Sequence, residues 1–184
     1  VSIVFIITLK ALKLELSTYL APLIFGNTGN LGLPLALFAF GEEGLSYAVV
    51  IFAVMAILSF TIGVWIVSGG GSLLRVIKEP VVAATLLGAV FLMQGWRTPT
   101  FLTNALELIG QMAIPVMLIT LGVAVARLET RDMARAVWLS VLKALVCALA
   151  AFGAARWFGL APVPTAVLIV QISTPVAVTS YLLA

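Results

Sequence analysis

Apolar residues run along the chain in blocks of about 20, the number a helix needs to cross a hydrocarbon core of about 30 Å, and short polar gaps separate the blocks. Residues 1–9 are apolar but too few to span, so they predict the end of a helix; Lys10, Lys13 and Glu15 follow in a polar loop. A second block, 19–40, holds Pro22, Gly26, Asn27, Gly29, Asn30, Gly32 and Pro34, and this density of breakers and amides predicts a discontinuous helix. Gly41-Glu42-Glu43-Gly44 reads as an exposed turn and 45–67 as an uninterrupted apolar helix. Ser68-Gly69-Gly70-Gly71 is a flexible connector leading to a short amphipathic surface piece, 72–79, with Arg75 and Lys78. Pro80 opens the next helix at its first turn, where a missing N–H is harmless; that helix ends near Trp96. Then come 101–126, interrupted by Pro115, then 134–158 with Lys143 inside it, and last a second broken block, 162–184.

Composition agrees with this pattern. Of 184 residues, 63% are hydrophobic and 9% charged, against roughly 45–50% and about 25% in globular proteins. Such a chain cannot cover a water-facing surface, and an all-α polytopic membrane protein follows, with the lipid bilayer as solvent. The formal charge of +3 comes from Lys and Arg scattered beside apolar runs and not from a basic patch interleaved with aromatics, which argues against nucleic acid. With the loop before 19–40 placed inside, the inner gaps collect Lys10, Lys13, Arg75, Lys78, Arg127, Arg131 and Arg135, and the outer gaps only Arg97 and Arg156. Trp96 and Trp157 then fall at outer helix ends, as interfacial aromatics should. A multi-pass protein of the cell (inner) membrane is expected. The chain starts at Val1 and stops in mid-run at Ala184, so both ends are expected to be cut from a longer protein.

Enzyme chemistry finds little support. There is no His for a general base or metal ligand, and the lone Cys147 lies in an apolar stretch. Gly29-x-x-Gly32 and Gly69-Gly70-Gly71 lack the strand and Lys of a phosphate loop. No cofactor or metal is expected.

The informative segment is Gly26-Asn27-Thr28-Gly29-Asn30-Leu31-Gly32-Leu33-Pro34-Leu35, at the depth where an ordinary helix is most apolar. Backbone released there must be satisfied by protein, ion, substrate or water, which is tolerable where it lines a cavity. Asn27, Thr28 and Asn30 supply neutral hydrogen bonds, and a half-helix starting after the break aims its N–H groups and positive dipole end at the site, favouring a carboxylate. The plainer alternative is a small-residue packing helix kinked by Pro34. A second polar, proline-broken segment runs from Gln171 through Ser173, Thr174 and Pro175 to Tyr181; its hydroxyls can equally bond their own helix carbonyls. Taken together, the two breaks run in opposite directions through the membrane, as the site-forming helices of inverted repeats do.

With these residues in view, the string Gly26 to Leu35 with Phe38-Ala39-Phe40-Gly41 resembles the fourth helix of auxin efflux carrier family transporters, and Gln171 to Tyr181 resembles the ninth. The resemblance implies ten helices in two inverted five-helix repeats, the fourth and ninth crossing at Pro34 and Pro175. Residues 1–68 are then the later part of the first repeat, 69–79 a short cytoplasmic connector, and 80–184 the second repeat without its last helix. It also implies transport of small organic anions, auxin in plants and malonate or similar carboxylates in bacteria. The short connector favours a prokaryotic carboxylate carrier.

The function expected is secondary active transport by alternating access, with Asn27, Thr28, Asn30, Pro34, Gln171, Ser173, Thr174 and Pro175 binding the anion and a proton or cation coupled to it. Three more polar residues are candidates for charge or coupling. Glu107 and Gln111 share a helix face, where they either couple an ion or reach for the outer interface; Lys143 lies deep in its helix, where its ammonium is either partnered or extended to the interface, and could counter the anion. The expected partners are the organic anion, the coupling proton or cation and the bilayer, with a homodimer left open. The competing readings are a non-transporting receptor or scaffold subunit, a sodium-coupled symporter of the same fold, and a channel, for which no ring of like charges is present.

Overall fold

The computed structural model describes residues 1–63, 79–126 and 133–176. The connector 68–79, apart from its last residue, and Arg127, Arg131 and the end of the second broken block lie outside the described residues. Those described are helical, with no strand element among them. The helices are α1 (Ser2–Ala11), α2 (Leu16–Ile24), α3 (Leu33–Leu58), α4 (Pro80–Gln94), α5 (Thr100–Gln111), α6 (Ala113–Ala126), α7 (Met133–Phe158) and α8 (Pro162–Ser173). Wide turns of π geometry precede and follow α3, at Thr28–Gly32 and Ser59–Gly63.

The run Thr28–Gly63 is long and apolar enough to cross a membrane, as are Thr100–Ala126 and Val137–Phe158. Thr28–Gly63 is nevertheless two arms. At Gly41 the backbone takes φ 64° and ψ −156°, a region essentially restricted to glycine. The chain folds back there: a Cβ on Gly44 would come within 2.8 Å of the Ala36 carbonyl, and one on Gly29 within 2.9 Å of the Phe52 ring. The expected four-residue turn Gly41 to Gly44 is therefore a reversal at one residue, with Glu42 and Glu43 already in the first turn of the returning arm. Carboxylates there face the positive end of the helix dipole.

Pro115 acts as expected, though the interruption appears three residues earlier. Its ring removes the N–H that would bond the Gln111 carbonyl, and the helix yields at Met112, between α5 and α6.

Two clusters hold the described part together. Phe5, Leu9, Leu20, Leu23 and Cys147 tie α1 and α2 to α7; Leu33, Ala36, Ala48 and Val167 tie both arms of α3 to α8. Elsewhere apolar side chains point outward, among them Leu92, Met93, Trp157 and Phe158, and α5 and α6 bury none. A water-soluble protein would not leave so much apolar surface exposed; helices facing lipid do. The chain is an all-α polytopic membrane fragment.

Candidate functional site

Both broken helices interrupt inside apolar blocks, and the interruptions meet. α2 ends at Ile24, Phe25 and Asn27 leave helical geometry, and the helix resumes at Thr28. α8 ends at Ser173, and Thr174 is extended at φ −56°, ψ 146°. The two extended stretches pair as an isolated antiparallel bridge, Gly26 opposite Val176, in which the Asn27 N–H donates to the Pro175 carbonyl at 2.8 Å.

Each stretch is also finished locally. Asn27 caps the resuming helix: its Oδ1 accepts the Asn30 N–H at 3.2 Å, and its carbonyl accepts from Leu31 at 3.3 Å and Gly32 at 3.0 Å. The Thr174 hydroxyl donates to the Gln171 carbonyl at 2.8 Å, closing the last turn of α8. These side chains therefore build the break before they can serve any ligand.

Glycines set how closely the strands of the crossing approach. A Cβ on Gly26 would collide with Thr174 Oγ1, and one on Gly32 with Gln171 Oε1. The Gln171 amide, 0% exposed, is thus held against the Gly32 backbone. Neither its Oε1 nor its Nε2 has a hydrogen-bond partner among the described residues, and the buried Ser173 Oγ has none either. Unpartnered buried polar atoms are uncommon because each forfeits about 1–3 kcal/mol of hydration. Here they lie within five residues of the bridge, and Gln171 meets Gly32 in the same wide turn that holds Thr28 and Asn30.

Beneath the crossing sits Lys143. Of the two options for its ammonium, the structure takes the partnered one: the side chain is 1% exposed, and Nζ donates to the Pro22 carbonyl at 3.1 Å and the Phe25 carbonyl at 3.4 Å. Both belong to the C-terminal end of α2, where a broken helix leaves carbonyls without intrahelical donors. A cation there also meets the negative end of the helix dipole.

Paired breaks in apolar helices, with buried polar groups and a buried charge beside them, are the arrangement found at transporter sites. Residues 67–184 match the family described as membrane transport protein, which covers α4 to α8 and the second break. The chain belongs to this family, that of the auxin efflux carriers. A Methanocaldococcus jannaschii protein named only as an uncharacterized transporter is 30% identical over 113 residues, 56% of this chain and 36% of its own length. The chain thus covers little more than a third of that curated relative. No solved structure matches.

Within this family frame, several expected residues are placed differently. Of the two prolines expected at the crossing, Pro175 lies in it and Pro34 does not. The closest approach is Gly26 and Asn27 against Thr174, Pro175 and Val176, while Pro34 lies buried in the first turn of α3. A close backbone approach needs a residue without a side chain and a pairing needs an N–H; proline offers neither, so Pro175 contributes its carbonyl and Pro34 only the restart of the helix. Glu107 and Gln111 lie on the exposed surface of α5 and are not brought to the crossing. A cleft of about 310 Å³ at the α1–α2 loop is lined by Leu12, Leu14, Trp138 and Leu139 and offers no side-chain polar group beyond the Trp indole to hold an anion.

The pairing of Lys143 with Pro22 and Phe25, and the roles of Gly26 and Gly32, had no direct signature in the sequence. The one hint was the three-residue spacing of Gly26, Gly29 and Gly32, each of which meets a different neighbour: Thr174, Phe52 and Gln171.

Proposed function

We propose that this transporter is a secondary active carrier for small organic anions, such as malonate or related carboxylates, working by alternating access with a coupled proton or cation. The observation that carries this reading is the buried Gln171 amide and Ser173 hydroxyl, without partners among the described residues, at the meeting point of two broken helices. A carboxylate entering there gains the Gln171 Nε2 and the Ser173 hydroxyl as donors, with Asn30 and Thr28 alongside. The amides of Thr28 and Gly29 open the resuming helix, whose positive dipole end favours negative charge. Lys143 adds a positive charge on the far side of the break, effective in a low dielectric. Asn27 and Thr174 shape the site through the backbone, as does Pro175; Pro34 fixes where the helix restarts.

In this reading the two breaks belong to inverted repeats, and the membrane is the cell (inner) membrane. The test is uptake of radiolabelled malonate and other small carboxylates into proteoliposomes containing the full-length parent, with and without an imposed pH gradient. Saturable uptake that is lost in Asn30→Ala and of weakened affinity in Gln171→Leu, both still folded, is the expected result. Absence of uptake of any anion by folded protein would leave the receptor or scaffold reading in its place.

A further inference from the structure

Two half-helices reach the crossing by their C-terminal ends, and the structure finishes them differently. At the end of α8 the carbonyl of Gln171 takes a neutral hydroxyl, that of Thr174. At the end of α2 the carbonyls of Pro22 and Phe25 take the ammonium of Lys143, which reaches them from α7. Carbonyl oxygens at a half-helix C-terminus, in surroundings without water, are the donor set that coupling cations use in broken-helix carriers. An ammonium is a compact monovalent charge with three N–H donors and suits the same oxygens.

We propose that Lys143 is a tethered cation occupying the ion position at the end of α2, so that the crossing is positively charged without a bound metal ion and transport is independent of sodium. The statement about transport rests on the carrier reading above; the statement about the ion position does not.

Three observations support it. No carboxylate is among the hydrogen-bond partners of Nζ, so the charge is not cancelled by a neighbouring acid among the described residues. The ionisable groups on the elements around it are Lys10 on α1, Glu15 and Tyr19 at the start of α2, and Cys147 one turn along α7. Of these, Cys147 shares the buried cluster with Phe5, Leu9, Leu20 and Leu23, which closes the space around the α2 end on the α1 side. Finally, Lys143 is itself 1% exposed and spans 121 positions of sequence to reach Pro22, so the contact is a built feature of the core and not a surface side chain at rest.

The experiment measures thermal unfolding of the full-length protein in detergent, in sodium chloride against choline chloride at equal ionic strength, alongside uptake in sodium-free and sodium-containing media. The wild type is expected to unfold at the same temperature in both salts and to transport without sodium. Lys143→Ala, which removes the ammonium and opens room for an ion, is expected to unfold about 5 °C lower in choline and to recover part of that in sodium. Lys143→Met, which fills the space without a charge, is expected to be lowered equally in both salts. The inference is overturned if sodium stabilises the wild type, if wild-type uptake requires sodium, or if Lys143→Ala in choline is as stable as wild type. Should Lys143→Ala not fold, the wild-type sodium comparison and Lys143→Met decide alone. Uptake that requires sodium sinks this inference and leaves the carrier reading; a salt response as described with no uptake of any anion does the reverse.

Discussion

Gly32 and Gln171 lie so close that the glutamine amide occupies the place a Cβ on residue 32 would take. The contact joins the wide turn before α3 to the last turn of α8, and two hydrogens on one α-carbon decide whether the broken helices can cross. Gly32→Ala is expected to destabilise by roughly 1–3 kcal/mol, the usual range for overpacking, and to abolish uptake. Gly88→Ala, in α4 with nothing near its α-carbon, is the control; it should be neutral or add up to about 1 kcal/mol by reducing backbone freedom in the unfolded chain. Thermal unfolding of both variants checks the contrast, and equal effects would refute the close crossing.

Gly26 and Thr174 offer a measurement of coupling. The nearest obstacle to a side chain at 26 is Thr174 Oγ1, with the Thr174 carbonyl next at 3.1 Å. In Thr174→Ala the first obstacle is gone, so Gly26→Ala should cost less there than in the wild type. A double-mutant cycle is expected to return an interaction energy of about 0.5–3 kcal/mol; strict additivity would mean the two residues are not in contact.

Gln171→Leu separates fold from function. Replacing an amide whose atoms have no partner among the described residues removes a buried polar group without breaking a hydrogen bond, so stability should hold or rise. If the amide binds the anion, its loss should weaken substrate affinity by about tenfold to a hundredfold, the range for a hydrogen bond to a charged group. A variant that unfolds early, or that transports with wild-type affinity, would assign Gln171 to packing.

The breaks themselves were legible in the sequence, because Gly, Asn and Pro in a block of apolar residues contradict a plain helix whatever surrounds them. That the two breaks cross was implied by the family resemblance; the atoms that meet were not legible. Which atoms meet is a matter of register between segments more than a hundred residues apart, and neither the Asn27 to Pro175 bond nor the reach of Lys143 to Pro22 leaves a local trace. Family resemblance pointed to the two prolines as the crossing because they are the visible breakers; Pro175 does lie in it, but opposite Gly26 and Asn27 and not Pro34, since a close approach needs a residue without a side chain. At residues 41–44 the composition suggested a four-residue turn, but a single glycine with positive φ suffices, and Glu42, Glu43 and Gly44 were free to join the next helix.

Gly41 and Gly95 share φ 64° but not ψ, and they should answer differently to the same substitution. Gly95 ends α4 at ψ 21°, a left-handed cap that asparagine tolerates. Gly41, at ψ −156°, occupies territory that asparagine does not reach cheaply. Gly95→Asn is expected to unfold within about 2 °C of wild type, whereas Gly41→Asn loses about 1–3 kcal/mol. Melting both variants is the check, and similar midpoints would mean that Gly41 does not reverse the chain as described.

The bridge between Gly26 and Val176 is a sheet reduced to its smallest unit, with Asn27 buried beside it. The amide proton of Asn27, donated across it to Pro175, can be replaced by deuterium only when the two broken helices part and water reaches the gap. One backbone hydrogen is therefore a clock for the crossing: its exchange rate counts how often the centre of the protein opens.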